Sequence, residues 1–364
     1  MKRVSLVQVG YGTVGGALID QVMENRPQWR DRFGLDVTIA AVAGRSGATI
    51  ADDASGLDDS ELRRLVDGRR SSAGSPTQRS LAEALPRLAA SAPTIVLDAA
   101  AGEGTVDVDV QALSLGAGVV LSNKAPLALP VSDPRTAQLW SETASTGRLK
   151  FEATCGAGLP VISTLQSLLD TGDQVREISG TLSGTFGAIF SAVGSGVPFS
   201  QAVRDARAAG YTEPDPRDDL SGLDVARKGL ILSRTMGNMI DLDDIEIHSL
   251  VPDHLADVSI DEFLDRLSEQ DPDIARQAEE SVAEGMSLKY VMHWQQDQGV
   301  TVGLGRVPRS TVLGALQGPE NIVSFRTDRY DRYPCVVSGP GAGAAVTAAG
   351  MLADMLDLAH RLDA

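Results

Sequence analysis

Apolar and β-branched runs recur through the first 150 residues, separated by stretches of helical spacing. Residues 3–9, Arg-Val-Ser-Leu-Val-Gln-Val, predict a buried strand, and the run from Gly16 to Met23 predicts a helix straight after it. Further strands are predicted at Val37–Ala43, Thr94–Ala99 and Val119–Leu121, with helices at Asp58–Gly68 and Ser80–Ala90. Between those helices, Arg69–Gln78 is rich in Ser, Gly and Pro and reads as a surface linker. Strands alternating with helices predict an α/β fold on a doubly wound parallel sheet. The pattern then changes. Strands at Glu177–Ser183, Ile245–Leu250, Leu288–Gln295, Val300–Val307 and Ile322–Thr327 are separated by acidic helices such as Asp261–Glu269. This grouping predicts a second, α+β domain with a mixed or antiparallel sheet and helices on one face. Trp294 falls on one of its strands and reads as core. An alanine-rich helix running to His360 follows. The expected domains are 1–150, 151–336, and a return of 337–364 to the first.

The first strand–helix junction is Gly10-Tyr11-Gly12-Thr13-Val14-Gly15, the G-x-G-x-x-G pattern of a Rossmann-type dinucleotide site. The first glycine makes the turn, the second admits a pyrophosphate, and the third lets helix and strand pack; the helix N-terminus then faces the phosphates. An ordinary tight turn is the plain alternative. After the second strand, where an acidic residue would hold a ribose 2′-hydroxyl, stand Gly44-Arg45-Ser46. Arg45 with the hydroxyl of Ser46 suits a 2′-phosphate, which favours NADP while leaving NAD possible; Arg45 as a simple loop residue is the alternative. Ser122-Asn123-Lys124 ends a strand at the carboxyl edge of the sheet, where ligands bind in open α/β folds. Asn123 as a helix cap beside an exposed Lys124 is the alternative reading.

Composition narrows the partners. A net charge of −17 argues against nucleic acid. Met-Lys-Arg-Val leads straight into a strand and no apolar run reaches spanning length, so no membrane partner and a cytoplasmic location are expected. Two cysteines, Cys155 and Cys335, imply no disulfide framework, and four histidines show no zinc spacing. Only five lysines occur, against 49 acidic residues. A high-salt habitat or a GC-rich genome would each explain that.

Two of the lysines fall in motifs. In Gly210-Tyr-Thr-Glu-Pro-Asp-Pro216, two prolines stiffen the chain around Glu213 and Asp215. From Ser221 the spacing turns helical, with Ser221 or Asp219 as the cap, and Asp224 and Lys228 share a face four residues apart. Glu213, Asp218, Asp219, Asp224 and Lys228 are thereby crowded together. A capped surface helix with one ion pair would also satisfy the spacing. Gly210–Lys228 resembles the signature of the homoserine dehydrogenase family, and further motifs follow in that family's order. Asn123-Lys124 is similar to its nicotinamide-side motif. Phe151–Pro160 is similar to its monovalent-cation loop, which implies that Glu152, Cys155, Ala157 and Leu159 surround a cation, most simply sodium, through oxygens. A glycine-rich domain hinge is the alternative there. Gly180-Thr181 resembles its substrate-side turn, and Ser338–Ala345, with Gly341 and Gly343, its C-terminal return beside the cofactor. Ala99–Ala101 depart from the family, where hydroxyl residues are common.

The resemblance implies reversible hydride transfer between L-aspartate 4-semialdehyde and L-homoserine with NAD(P)H, in threonine, isoleucine and methionine biosynthesis. It implies Lys228 and Lys124, with Asp224 and Glu213, at the chemistry. Gly180, Thr181, Tyr211, Glu213, Asp219 and Asp224 would hold the substrate, and the protein would be a homodimer through its second domain. The cofactor would meet Gly10, Gly12, Thr13, Val14, Gly15, Arg45, Ser46, Asn123, Lys124, Gly341 and Gly343. With no kinase-like region before the glycine motif and no room for a regulatory domain after His360, a short monofunctional form is expected. Two other readings compete: an aldehyde dehydrogenase with Cys155 as nucleophile, and a non-enzymatic NADP sensor. The first lacks a histidine partner motif; the second leaves the Glu-Asp-Lys cluster without purpose.

Overall fold

The computed structural model describes residues 1–45, 47–52, 55–68 and 80–362; the linker 69–78 and Ser46 lie outside them. The chain divides into two compact units, Met1–Gly158 with Ala342–Ala364, and Leu159–Gly341.

The first unit runs β1 (Lys2–Val9), α1 (Thr13–Phe33), β2 (Leu35–Gly44), β3 (Gly47–Ile50), α2 (Asp59–Gly68), α3 (Leu81–Ser91), β4 (Thr94–Asp98), α4 (Val106–Ser114), β5 (Gly118–Leu121), α5 (Pro134–Ser145) and β6 (Leu149–Lys150). Its sheet has the order β3-β2-β1-β4-β5-β6. All pairs are parallel except β2–β3. Val4, Leu6 and Val7 of β1 are all fully buried, as a strand covered on both faces requires, which is why the run does not alternate. α1 continues ten residues past the expected Met23, through Pro27. Burial of Trp29 offsets the lost N–H, and Gly34 in a left-handed conformation ends the helix by donating to the carbonyls of Arg30 and Trp29.

The second unit comprises α6 (Val161–Asp170), β7 (Val175–Thr181), α7 (Gly184–Gly194), α8 (Phe199–Ala208), α9 (Pro216–Leu220), α10 (Leu223–Thr235), β8 (Glu246–Ile247), α11 (Ile260–Arg266), α12 (Asp271–Ala283), β9 (Met286–Gln295), β10 (Gly299–Pro308), α13 (Val312–Ala315), β11 (Glu320–Thr327) and β12 (Cys335–Pro340). Its sheet is mixed, in the order β12-β11-β7-β9-β10-β8, with β8 parallel to β10 and the other pairs antiparallel. Ile178, Met292, Trp294, Val300, Val323 and Phe325 form its buried face. α10 packs there through Gly229 against Val300 and Met292, and α7 through Phe186 stacked on Tyr290 at 3.8 Å. Ser179, His293, Thr301 and Ser324 alternate onto the opposite, half-exposed face. Trp294 is core, as its strand position indicated.

The last helix, α14 (Ala344–Arg361), belongs to the first unit. It packs along α1 and sends Ala348, Met351, Met355 and Leu358 into that unit's core. Other elements also differ from the sequence reading. Only Glu246–Ile247 of the Ile245–Leu250 run is strand. Ser338–Pro340, expected to open the final helix, instead close the edge strand β12, because β11 offers them a ladder from Ile322 to Glu320. The short strands β3 and β6 were not foreseen; four and two residues give too little pattern to read.

Candidate active site

In the first unit the glycine loop joins β1 to α1. Gly10 has φ +79°, and a Cβ on it would lie 2.6 Å from the backbone of Ala100. A Cβ on Gly15 would overlap the carbonyl of Gly10, whereas one on Gly12 would meet nothing within 4 Å. The first and third glycines are therefore demanded by packing, and the second leaves open space beside the helix end. α1 starts at Thr13 and Val14 with no side-chain cap and no acidic residue in its first turn. Such an end can receive an anion, because its first turn carries no carboxylate to compete for the N–H groups and the helix dipole. Arg45 is exposed in the turn between β2 and β3, at the carboxyl edge of the sheet. Gly343, φ +119°, is the N-cap of α14.

Asn123, almost fully buried, follows β5. Its Nδ2 donates to Gly102 O at 2.8 Å and to Asp98 Oδ2 at 3.1 Å, and its Oδ1 accepts from Ala125 N at 3.1 Å. Asp98 ends β4; it also accepts from Thr105 Oγ1 at 2.7 Å and from Ala100 N at 2.8 Å. Asn123 thus braces the turn that follows it and ties the turns after β4 and β5 together beside Lys124, which is itself the N-cap of the short 3-10 turn and half-buried. Asp98, Thr105 and the buried Asp109 were missed by the sequence reading, although an aspartate closing an apolar strand was a visible signal.

In the second unit the Gly210–Lys228 stretch is organised more tightly than spacing alone showed. Asp215 caps α9 through Arg217 N and also holds the Arg217 side chain, which reaches the carbonyls of Ala256 and Val258. Pro216 is the first residue of that short helix, so the stiff extended segment ends at Asp215. Asp219 does not cap α10. Its two oxygens accept from Glu213 N at 2.8 Å and Thr185 Oγ1 at 2.9 Å, fixing the proline loop to the start of α7. Burial raises the Asp219 carboxyl above its ordinary value, partly offset by those two bonds. Nor is Ser221 the cap: Gly222, φ +77°, takes that place, and Ser221 Oγ accepts from Leu223 N one residue early.

Lys228 is 8% exposed. Its Nζ donates to Leu182 O at 2.6 Å and lies 2.8 Å from Asp224 Oδ2. The adjacent Thr181 hydroxyl is buried without a partner. A largely buried amine with one carbonyl and one half-exposed carboxylate is more than a surface ion pair, and it sits at the end of β7 where Gly180 and Thr181 were expected. Glu213 and Tyr211 are exposed on the same loop.

Of the expected cation loop, Glu152, Cys155 and Ala157 lie in the first unit and Leu159 opens the second. Ala157 has φ +58°, the one positive φ outside glycine among the described residues. Its carbonyl abuts Gly350 of α14. Glu152 is buried, and its N–H donates to Asp354 Oδ2 at 2.8 Å. Burial pushes Asp354 up to about 7, with the Glu152 charge adding to the effect. Among the described residues no cluster of three His, Cys, Asp or Glu forms a metal centre, so any cation here would rest on backbone oxygens and Glu152. Cys155 is fully buried, beside Thr154. A thiol so placed does not reach a substrate carbonyl, which tells against the aldehyde dehydrogenase reading. Gly341 packs against the fully buried Asn321, whose amide has no partner; packing accounts for that glycine without a ligand. No helix among the described residues is long and apolar enough to cross a membrane.

Comparison with known proteins adds to this geometry. Residues 160–356 match the family described as homoserine dehydrogenase, and residues 10–149 match the homoserine dehydrogenase NAD-binding domain. A chloroplastic bifunctional aspartokinase/homoserine dehydrogenase 2 from Zea mays is 37% identical over 358 residues, 98% of this chain. The chain spans 38% of that relative's length. The homoserine dehydrogenase of Saccharomyces cerevisiae is 34% identical over 370 residues, covering 99% of each chain. A Candida auris protein of unknown function, known from its crystal structure, superposes with a TM-score of 0.88 at 31% identity, covering 100% of this chain and 99% of the other.

Proposed function

Because the chain belongs to the homoserine dehydrogenase family, we propose that it catalyses the NAD(P)-dependent, reversible reduction of L-aspartate 4-semialdehyde to L-homoserine, the step that feeds threonine, isoleucine and methionine synthesis. The observation that carries this reading is Lys228 on α10, held nearly buried between Leu182 O and Asp224, next to the proline loop that Asp219 ties down through Glu213 N.

The uncapped N-terminus of α1, with the open space at Gly12, suits a pyrophosphate, so Gly10–Gly15 would hold the cofactor. Arg45 and Ser46 would take a 2′-phosphate, making NADP the preferred form; Asn123, Lys124 and Gly343 would serve the nicotinamide side, while Gly341 serves the packing of its own strand end. When bound, the nicotinamide supplies the hydride for the aldehyde carbon. Lys228 supplies the proton to the carbonyl oxygen and stabilises the charge forming there, and Asp224 orients its amine. Lys124 would assist. Glu213 and Asp219 accept the substrate ammonium, with the Thr181 hydroxyl and Gly180 beside them. Glu152 with the carbonyls of Cys155, Ala157 and Leu159 would hold a monovalent cation. The buried carboxylates of Glu152 and Asp354 support this, since a cation there relieves their mutual repulsion. The half-exposed sheet face around Glu177, His293 and Arg326 supports a homodimer through the second unit, and a cytoplasmic location fits the activity.

The test is oxidation of L-homoserine with NADP, followed by cofactor absorbance, alongside a Cys155→Ser control. Activity retained in the control supports the reading. No turnover of homoserine would remove it, and activity lost only in the control would restore the thiol mechanism.

A further inference from the structure

At the carboxyl edge of the first unit's sheet, two aspartates lie in a dry site, and among the described residues neither is in an ion pair with a basic side chain. Asp98, at the end of β4, and Asp109, in the first turn of α4, are both fully buried. Asp98 receives three donors, from Ala100 N, Thr105 Oγ1 and Asn123 Nδ2. Asp109 receives none: both its oxygens are buried without a donor. Helix α4 packs on β4, and the charge of Asp98 adds to the burial that raises the Asp109 carboxyl, so the two acids share one dry site. Two carboxylates cannot bond, because each only accepts. An ionised Asp109 would also cost several kcal/mol of desolvation with nothing to offset it.

We propose that Asp98 and Asp109 share one proton, with Asp109 as donor, and form a positioning pair that holds Asn123 and the Ala100–Thr105 turn in place for the cofactor. The proton joins two acids into one anion with a fixed acceptor geometry. Asp98 stays the ionised member because three other donors converge on it. Asp109, neutral, becomes the fourth. Asn123 then has its Nδ2 bound to Asp98 and Gly102, which aims its Oδ1 at Ala125 N and sets the backbone that carries Lys124. The inference rests on the reading of Asn123 and Lys124 as cofactor neighbours.

Among the described residues the neighbouring charges supply no simpler explanation. Glu103 on the turn before α4 and Asp107 on α4 are exposed, and Asp107 pairs with Arg135 of α5, which also holds Asp133. Glu83 and Arg87 of α3 are exposed as well. On α14, Asp354 accepts from Glu152 N and Asp357 pairs with Lys150 and Arg361. Lys124, beside Asn123, is half-buried. Burial comes first among the causes that hold Asp109 well above the carboxylate range, then the charge of Asp98. Burial raises Asp98 too, held back by its bonds from Thr105, Ala100 and Asn123.

Loss of the shared proton in alkali would leave two negative charges in the dry site and loosen the Asn123 turn. Cofactor affinity should therefore fall on an alkaline limb, by at most about tenfold per pH unit for a single proton. Asp109→Asn supplies a permanent N–H donor of the same shape, so it should keep cofactor affinity within about twofold at neutral pH and lose the limb. Asp109→Leu removes the donor and should weaken cofactor binding at neutral pH as well. The measurements are NADPH titrations by fluorescence across pH 6–10, and infrared difference spectra of the full-length protein. Near neutral pH Asp354 should contribute a protonated carboxyl stretch in every variant; a second such stretch should be present in the wild type, disappear along the same limb, and be missing from Asp109→Asn. A limb unchanged in Asp109→Asn overturns the proposal, and so does a wild-type spectrum whose second carboxyl band is insensitive to that limb. The wild-type titration stands even if a variant fails to fold. Unchanged NADPH affinity in Asn123→Ala would instead sink the cofactor assignment of this turn, leaving the infrared result to judge the proton.

Discussion

Replacing Lys228 with methionine tests the centre of the mechanism. Methionine roughly keeps the length and apolar stem but removes the amine. Leu182, 1% exposed, then loses the donor to its carbonyl. An unsatisfied buried carbonyl costs about 1–3 kcal/mol. Asp224 is half-exposed and re-solvates, so the broken ion pair adds little. For a unit of this size the melting temperature should drop by about 2–4 °C per kcal/mol. The protein should stay folded at assay temperature. The catalytic effect is larger: a lost general acid costs about 10²–10⁴-fold in rate, or about 2.7–5.4 kcal/mol of barrier. Steady-state reduction of aspartate 4-semialdehyde should show kcat falling by that factor, with the NADPH Kd within about twofold of wild type. Asp224→Asn should lower kcat less, because it misaims the amine without removing it. The reasoning fails if Lys228→Met keeps most of its kcat while Lys124→Met loses it; the two lysines would then exchange roles.

Arg45→Ala should raise the KM for NADP and leave that for NAD nearly unchanged; equal effects would refute the 2′-phosphate assignment. Raising KCl from dilute buffer to molar concentration should lift the melting temperature, because a net charge of −17 repels itself over a Debye length that salt shortens; a flat response would leave a GC-rich genome as the explanation of the composition. Glu177 sits between Arg326 at 2.7 Å and Ser179 at 2.8 Å. Burial pushes its carboxyl up, but Ser179, Arg326 and the neighbouring His293 together more than offset that and hold it below the ordinary value of 4.5. A depressed carboxyl stabilises the fold above its unfolded pKa and loses that contribution as pH falls through the folded one. Denaturant titrations should thus show Glu177→Gln less stable than wild type near pH 7, with the gap closing below about pH 4.5; a gap independent of pH would contradict the assignment.

Much of this was open to a reader of the sequence because local pattern carried it. β1 and the glycine turn are dictated by short-range sterics: Gly10 must adopt positive φ, and Gly15 must touch the carbonyl of Gly10. Asp224 and Lys228 meet because helices bring i and i+4 together. What escaped depended on partners far along the chain. Ser338–Pro340 have the composition of a loop and become strand because β11 lies beside them. Asp219 was read as a cap, yet Thr185, 34 residues away, takes its carboxylate. Asp98 closes an apolar strand and could have been singled out, but nothing in the sequence ties Asp109 to it; that takes the packing of α4 on β4. The capping error at Ser221 had a local cause, a glycine free to enter the left-handed region one residue later.

The first unit is not contiguous: the chain leaves it after Gly158 and re-enters at Ala342. During translation this imposes an order of events. All six strands of that unit's sheet emerge early, but the groove along α1 that takes Met351, Met355 and Leu358 stays unfilled until the last helix leaves the ribosome. Leu159–Gly341, a continuous insert, can finish folding in the interval. A stalled or truncated nascent chain should therefore carry one completed unit and one with exposed apolar surface, and that surface is where chaperones would engage it.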